Sequence, residues 1–82
     1  MDGAIVHPDV KIGSNSIINT KAIIEHDTEI GNNTHISTGV IVNGNVKIGN
    51  NVFIGSGSII VNDIKIKSNS FIKAGTTIKK NF

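Results

Sequence analysis

Apolar residues recur at every sixth position along nearly the whole chain. From Val6 to Ile78, each of these positions holds isoleucine or valine. The residue two places earlier is mostly small, as at Ala4, Ser16 and Thr34. Neither the 3.6-residue period of a helix nor the two-residue alternation of a simple strand predicts this spacing. The pattern instead predicts a short strand every six residues, with inward side chains filling a narrow interior.

Glycine and asparagine follow many of the apolar positions. The segments Gly31-Asn32-Asn33 and Gly49-Asn50-Asn51 are the clearest examples. Tight corners require backbone angles that these residues adopt at the lowest cost. We therefore expect a corner after each short strand.

The residue just before each inward aliphatic residue should point outward, and these residues form three groups within an 18-residue coil. The first group holds Ile5, Ile23, Ile41, Ile59 and Thr77, the second Lys11, Glu29, Lys47 and Lys65, and the third Ile17, His35, Phe53 and Phe71. Two groups are therefore mostly apolar and one is charged. A single chain would expose both apolar columns to water, whereas a three-fold assembly could pack one against the other.

This arrangement resembles that of the bacterial hexapeptide-repeat transferases, whose repeat has an aliphatic residue, often a following glycine, and a small residue at the fifth place. The resemblance covers essentially the whole chain. It implies an all-β fold, a left-handed parallel β-helix of about four triangular coils over residues 1–82. It also implies a homotrimer. Left-handed winding departs from the usual hand of parallel crossovers.

Three segments resemble one branch of that family in particular. They are Asn19-Thr20, Glu25-His26-Asp27 and Thr34-His35-Ile36-Ser37. The branch contains sialic acid O-acetyltransferase and the UDP-4-amino-sugar N-acetyltransferases. The resemblance implies acetyl transfer from acetyl-CoA to an amine or hydroxyl of a sugar or nucleotide-sugar acceptor. Full-length members also carry an N-terminal acceptor-binding domain, so residues 1–82 are expected to form the acetyl-CoA-binding part alone.

The same resemblance implies roles for individual residues. His26 would be the general base, Asp27 would increase its basicity, and His35 would bind the thioester carbonyl. Imidazole suits proton removal near neutral pH, and a developing oxyanion requires a hydrogen-bond donor. The residues implied to line the coenzyme path are Asn19, His35, Gly44, Ser56, Ala74 and Gly75.

The spacing of the two histidines predicts a shared site. His26 and His35 are half a coil apart and should lie on opposite sides of one prism, so both can act on one acetyl group only between subunits. Residues 18 apart stack at about 4.8 Å, which places Gly44 and Asn62 over His26. A glycine there leaves room for a pantetheine arm.

Composition narrows the possible functions further. The net charge is +2 with dispersed lysines, and the chain has no cysteine. We expect no nucleic-acid or membrane partner and a cytoplasmic location. No metal is expected, because the closely spaced histidine pair of the hexapeptide carbonic anhydrases is missing. The alternative function is a non-catalytic trimeric β-helical module, or a truncated remnant, whose histidines are vestigial.

Overall fold

The computed structural model describes residues 3–82, so the first two residues of the predicted domain, Met1 and Asp2, lie outside the described part. The described residues form thirteen two-residue strands and no helix. The strands are β1 (Ile5–Val6), β2 (Lys11–Ile12), β3 (Ile17–Ile18), β4 (Ile23–Ile24), β5 (Glu29–Ile30), β6 (His35–Ile36), β7 (Ile41–Val42), β8 (Lys47–Ile48), β9 (Phe53–Ile54), β10 (Ile59–Ile60), β11 (Lys65–Ile66), β12 (Phe71–Ile72) and β13 (Thr77–Ile78).

These strands build three parallel sheets that form the sides of a prism. The first sheet has the order β1-β4-β7-β10-β13, the second β2-β5-β8-β11 and the third β3-β6-β9-β12. Within each sheet, partners are 18 residues apart, as in the pairing of Ile5 with Ile23. The predicted left-handed parallel β-helix of about four coils is confirmed, and so are the three outward columns.

The inward aliphatic residues form one continuous core along the prism axis. Ile24, Ile36, Ile54 and Ile60 are each 0% exposed. Burying one such side chain stabilises the fold by about 1.5–3 kcal/mol. The aliphatic residues at every sixth position are therefore the main source of stability.

Small polar residues complete this core without leaving polar atoms unsatisfied. The Thr28 hydroxyl donates to the Asn43 carbonyl at 3.0 Å, and the Thr34 hydroxyl donates to the Gly49 carbonyl at 2.8 Å. Within residues 3–82 every buried side-chain nitrogen and oxygen has a partner. These bonds tie one coil to the next, which offsets the cost of burying each hydroxyl.

The corners contain a left-handed residue every six positions. The positive-φ residues are Gly3, Asp9, Asn15, Lys21, Asp27, Asn33, Gly39, Asn45, Asn51, Gly57, Asp63, Asn69 and Gly75. All but Lys21 are of the three types that tolerate this conformation best. The predicted corners are thus present, and Lys21, with φ of 60°, occupies one against its own preference.

The corners between the sheets are named here by the sheets that they join. The first corner follows the first-sheet strands and leads to the second sheet. The second corner leads from the second to the third sheet, and the third corner leads back to the first sheet. At the second corner, the backbones of neighbouring coils are in close contact: a Cβ atom on Gly31 would lie 2.6 Å from the Gly49 carbonyl oxygen. Only glycine fits there without displacing backbone.

The two ends of the prism differ in how well they cover the core. At the N-terminal end, Val6 is 40% and Ile12 38% exposed. At the other end, Ile72 is 1% exposed. There the Phe82 amide donates to the Lys65 carbonyl at 2.9 Å, which extends the second sheet beyond β11.

Candidate active site

His26 and Asp27 occupy the first corner directly after β4. Asp27 is in the left-handed conformation, with φ of 61°. The Nδ1 atom of His26 lies 3.2 Å from the Oδ2 atom of Asp27. An Nδ1–H group donating to this carboxylate leaves the Nε2 lone pair free to accept a proton. The exposed fractions of the two side chains are 67% and 60%, so the pair is open to an incoming molecule.

The imidazole of His26 faces a surface depression of about 360 Å³. Its lining consists of Glu25, His26, Asn43, Gly44, Asn45, Asn62 and Asp63. Gly44 lies one coil above His26, where a Cβ atom would be 3.0 Å from Cε1 and 3.1 Å from Nε2 of the ring. The stacking of Gly44 and Asn62 over His26 follows the 18-residue spacing. The space beside the ring therefore exists because Gly44 has no side chain.

In the coils above His26, amide and carboxylate side chains at the first corner form a hydrogen-bonded network. The Asn45 amide donates to Oδ1 of Asp63 at 2.8 Å, and the Asn62 amide donates to Oδ2 at 2.8 Å. Sequence reasoning missed Asn45 and Asp63. The signal was available, since they lie 18 and 36 residues after Asp27 in the same column.

His35 lies at the start of β6 in the third sheet and is half-buried. The Nδ2 atom of Asn19 lies 2.9 Å from its Nε2 atom, within hydrogen-bond range. Asn19 is in the third corner, directly after β3, which pairs with β6. Both residues were expected at the site, but their pairing with each other was not anticipated.

Two phenylalanine rings continue the column above His35. The His35 and Phe53 ring centroids are 5.3 Å apart, and those of Phe53 and Phe71 are 5.1 Å apart with planes inclined by 14°. Phe71 is 65% exposed. The third sheet thus presents an aromatic surface to solvent in the single chain.

A single chain does not bring the two histidines together. His26 is at the corner between the first and second sheets, and His35 is on the third sheet, which is the opposite side of the triangle. The other candidate residues divide in the same way. Asp27 and Gly44 accompany His26, whereas Asn19, Ser56, Ala74 and Gly75 share the third corner beside His35.

The remaining histidine is close to the same column as His26. His7 lies one coil below Glu25, the residue before His26, and its Nε2 atom is 3.6 Å from Oε1 of Glu25. Across residues 3–82, no group of three histidine, aspartate or glutamate side chains is arranged to hold a metal ion.

The strand-only architecture also bears on membrane topology. Since residues 3–82 form no helix, none of them belongs to a helix that could span a bilayer.

A family profile decides the relationship to known proteins. The family described as bacterial transferase hexapeptide (six repeats) matches residues 9–44 and 45–80. The chain belongs to the bacterial hexapeptide transferase family. No curated protein matches the sequence significantly.

Several solved structures have the same fold. A hexapeptide transferase family protein from Anaplasma phagocytophilum superimposes with a TM-score of 0.90 at 25% identity, over 96% of this chain and 49% of that one. PerB from Caulobacter crescentus, in complex with CoA and GDP-perosamine, gives 0.72 at 21% identity, over 98% and 47%. The acetyltransferase domain of PglB from Neisseria gonorrhoeae, in complex with acetyl coenzyme A, gives 0.65 at 18% identity, over 92% and 47%. This chain therefore spans about half the length of these structures.

Proposed function

We propose that this hexapeptide transferase domain moves an acetyl group from acetyl-CoA to an amine or hydroxyl of a sugar or nucleotide-sugar. The observation that carries the proposal is the His26–Asp27 pair, which opens onto a depression kept clear of the ring by Gly44. Removal of a proton from the acceptor requires a base, here the imidazole with its carboxylate partner, and open space beside it for the acceptor. The complexes of PerB and PglB with CoA or acetyl-CoA add support at the level of the fold.

The proposed active site lies between two chains of a homotrimer. One chain supplies His26 and Asp27, and the neighbouring chain supplies His35 and Asn19. This arrangement accounts for the two apolar columns, because Ile59 at 38% and Phe71 at 65% exposure would be covered by a neighbouring prism. It also brings together two histidines that lie on opposite sides of a single prism.

The proposed reaction is a direct acyl transfer. The acceptor nitrogen or oxygen attacks the thioester carbonyl carbon while Nε2 of His26 takes the acceptor proton. His35 of the neighbouring chain donates to the carbonyl oxygen as it gains negative charge. The carbon–sulfur bond then breaks, and the thiolate of CoA takes the proton back from His26. The products are the acetylated acceptor and free CoA thiol, so atoms and protons balance.

The coenzyme is proposed to run along the third corner of the chain that provides His35. Ala74 lies one coil after Ser56 at this corner and Gly75 follows it in the chain, and small side chains leave room for a pantetheine arm. A Cβ atom on Gly75 would have no heavy atom within 4 Å. Gly44, on the chain that provides His26, would border the same passage from the other side.

Calorimetric titration with acetyl-CoA and a thiol-release assay with amino-sugar acceptors test the proposal. We expect wild type to bind acetyl-CoA, His35→Ala to bind more weakly, and His26→Asn to lose about a hundred-fold or more in kcat. His7→Ala is the matched control, because it removes the histidine one coil below Glu25, the residue before His26. If acetyl-CoA does not bind at millimolar concentration, the chain is instead the non-catalytic module. If His26→Asn keeps the wild-type rate, His26 is not the base.

A further inference from the structure

The Asn19–His35 hydrogen bond bears on which ring nitrogen of His35 carries the proton. The Nδ2 group of Asn19 is 2.9 Å from Nε2 of His35, which is well within hydrogen-bond range. In this orientation of the amide, the N–H group donates and Nε2 accepts, which corresponds to a neutral ring with Nε2 unprotonated. The ring proton then resides on Nδ1.

This bond determines which nitrogen can act on a ligand. The Nε2 lone pair is occupied by Asn19, and Nδ1 is the remaining nitrogen that can donate outward. In water the two neutral forms of imidazole interconvert freely, so a fixed partner is needed to hold one of them. Asn19 is well placed to be such a partner, because its backbone amide is itself held by the Ile36 carbonyl at 2.9 Å.

The packing around His35 supports a fixed ring. Phe53 lies on one side at a centroid distance of 5.3 Å, and Ile17 is the register partner on the other. The ring thus has neighbours above and below in its column, as well as a hydrogen bond at one nitrogen. These contacts limit the rotation of the ring, as a preorganised donor requires.

We propose that Asn19 is a positioning residue that holds His35 in the Nδ1–H form, so that Nδ1 is the donor to the thioester carbonyl. This inference rests on the proposed function for the identity of the carbonyl. The protonation pattern of the ring does not depend on it. Asn19 acts through His35 and need not touch the coenzyme to do so.

A carboxylate at position 19 should reverse the pattern. In Asn19→Asp the side chain keeps its size, but both oxygens only accept hydrogen bonds. In the neutral ring, Nε2 would then carry the proton, and Nδ1 would direct a lone pair at the thioester oxygen. The variant should fold normally and lose the donor.

Long-range proton–nitrogen NMR correlations of the histidine rings in the full chain measure this directly. In neutral wild type, we expect the His35 Nδ1 resonance to be that of a protonated nitrogen and Nε2 that of an unprotonated one. In Asn19→Asp, recorded at alkaline pH where the ring is neutral, we expect the two to exchange. Asn51→Asp, which adds the same charge at a second-corner position, should leave the His35 pattern unchanged. A protonated Nε2 in wild type would overturn the proposal.

The thiol-release assay provides the second readout. Loss of one oxyanion donor typically lowers kcat by about a hundred-fold or more, and we expect Asn19→Asp to fall in that range while Asn51→Asp does not. An exchanged ring pattern with unchanged kcat would overturn the role of Nδ1. If wild type releases no thiol at all, the proposed function fails, and the ring resonances alone decide whether Asn19 holds the Nδ1–H form.

Discussion

Gly44 lies directly over the imidazole of His26, one coil further along the prism. A Cβ atom at Gly44 would be 3.0 Å from Cε1 and 3.1 Å from Nε2 of that ring. Because the backbone of Gly44 is outside the left-handed region, alanine is compatible with its conformation. The glycine is therefore explained by the space that it leaves beside His26.

Gly44→Ala should impair turnover without unfolding the protein. The added methyl group would displace the ring of His26, and misplacing a catalytic group typically lowers kcat by about ten- to a hundred-fold. The ring is exposed and can move, so the melting temperature should stay within a few degrees of wild type. Steady-state thiol release and thermal unfolding measure both. Unchanged kcat would show that the geometry at Gly44 does not affect the reaction.

Asp27→Asn should separate the charge of the carboxylate from its role in the corner. Asn33 and Asn45 adopt the same left-handed conformation, so asparagine fits the corner at little cost. The imidazolium formed during proton transfer would lose its anionic partner, and we expect kcat to fall by at least about tenfold. Asp9→Asn, at the same position one coil earlier, is the control. Equal rates for both variants would contradict a role for Asp27.

Gly31→Ala should destabilise the fold. Its Cβ atom would lie 2.6 Å from the carbonyl oxygen and 2.7 Å from the carbonyl carbon of Gly49. Backbone cannot yield as a surface side chain can, so the two coils would separate locally. Overpacking of this kind costs about 1–3 kcal/mol. Urea unfolding measures it, with Gly44→Ala for comparison, and equal stability of the two variants would count against this reading of the second corner.

Phe71→Glu should dissociate the proposed homotrimer. Phe71 is 65% exposed in the single chain and lies in an apolar column, so a charge there would be buried on association. Lys65→Glu, on the charged column of the second sheet, changes the surface charge without touching either apolar column. Analytical ultracentrifugation should show a trimer for wild type and Lys65→Glu and a single chain for Phe71→Glu. A wild-type monomer would remove the shared site altogether.

The sequence contained enough information for the architecture. The aliphatic residues at every sixth position, such as Ile24, Ile36 and Ile54, can all be buried in a β-helix, because their period matches neither a helix nor a flat sheet. The 18-residue coil period also predicted that Gly44 lies over His26 and that His35 lies on the opposite side of the prism. Regular coils make such counting reliable, since each residue repeats the environment of the residue 18 places before it.

Side-chain partners could not be obtained in the same way. Asn19 and His35 are 16 residues apart, and whether their side chains meet depends on rotamers that the repeat does not determine. The network of Asn45 with Asp63 also depends on side-chain direction. Lys21 was unexpected for a different reason: the repeat predicts a corner there, but its residue type argues against one.

The most direct test of the account mixes two inactive variants. His26→Ala and His35→Ala each remove one half of the proposed site, so neither homotrimer should release thiol. When the two variants are co-expressed in equal amounts and assemble at random, a chain that retains His26 sits beside a chain that retains His35 at about a quarter of all interfaces, the inactive homotrimers included. We predict recovery of about a quarter of the wild-type activity. If mixed trimers form and remain as inactive as the separate variants, the two histidines do not share a site between chains.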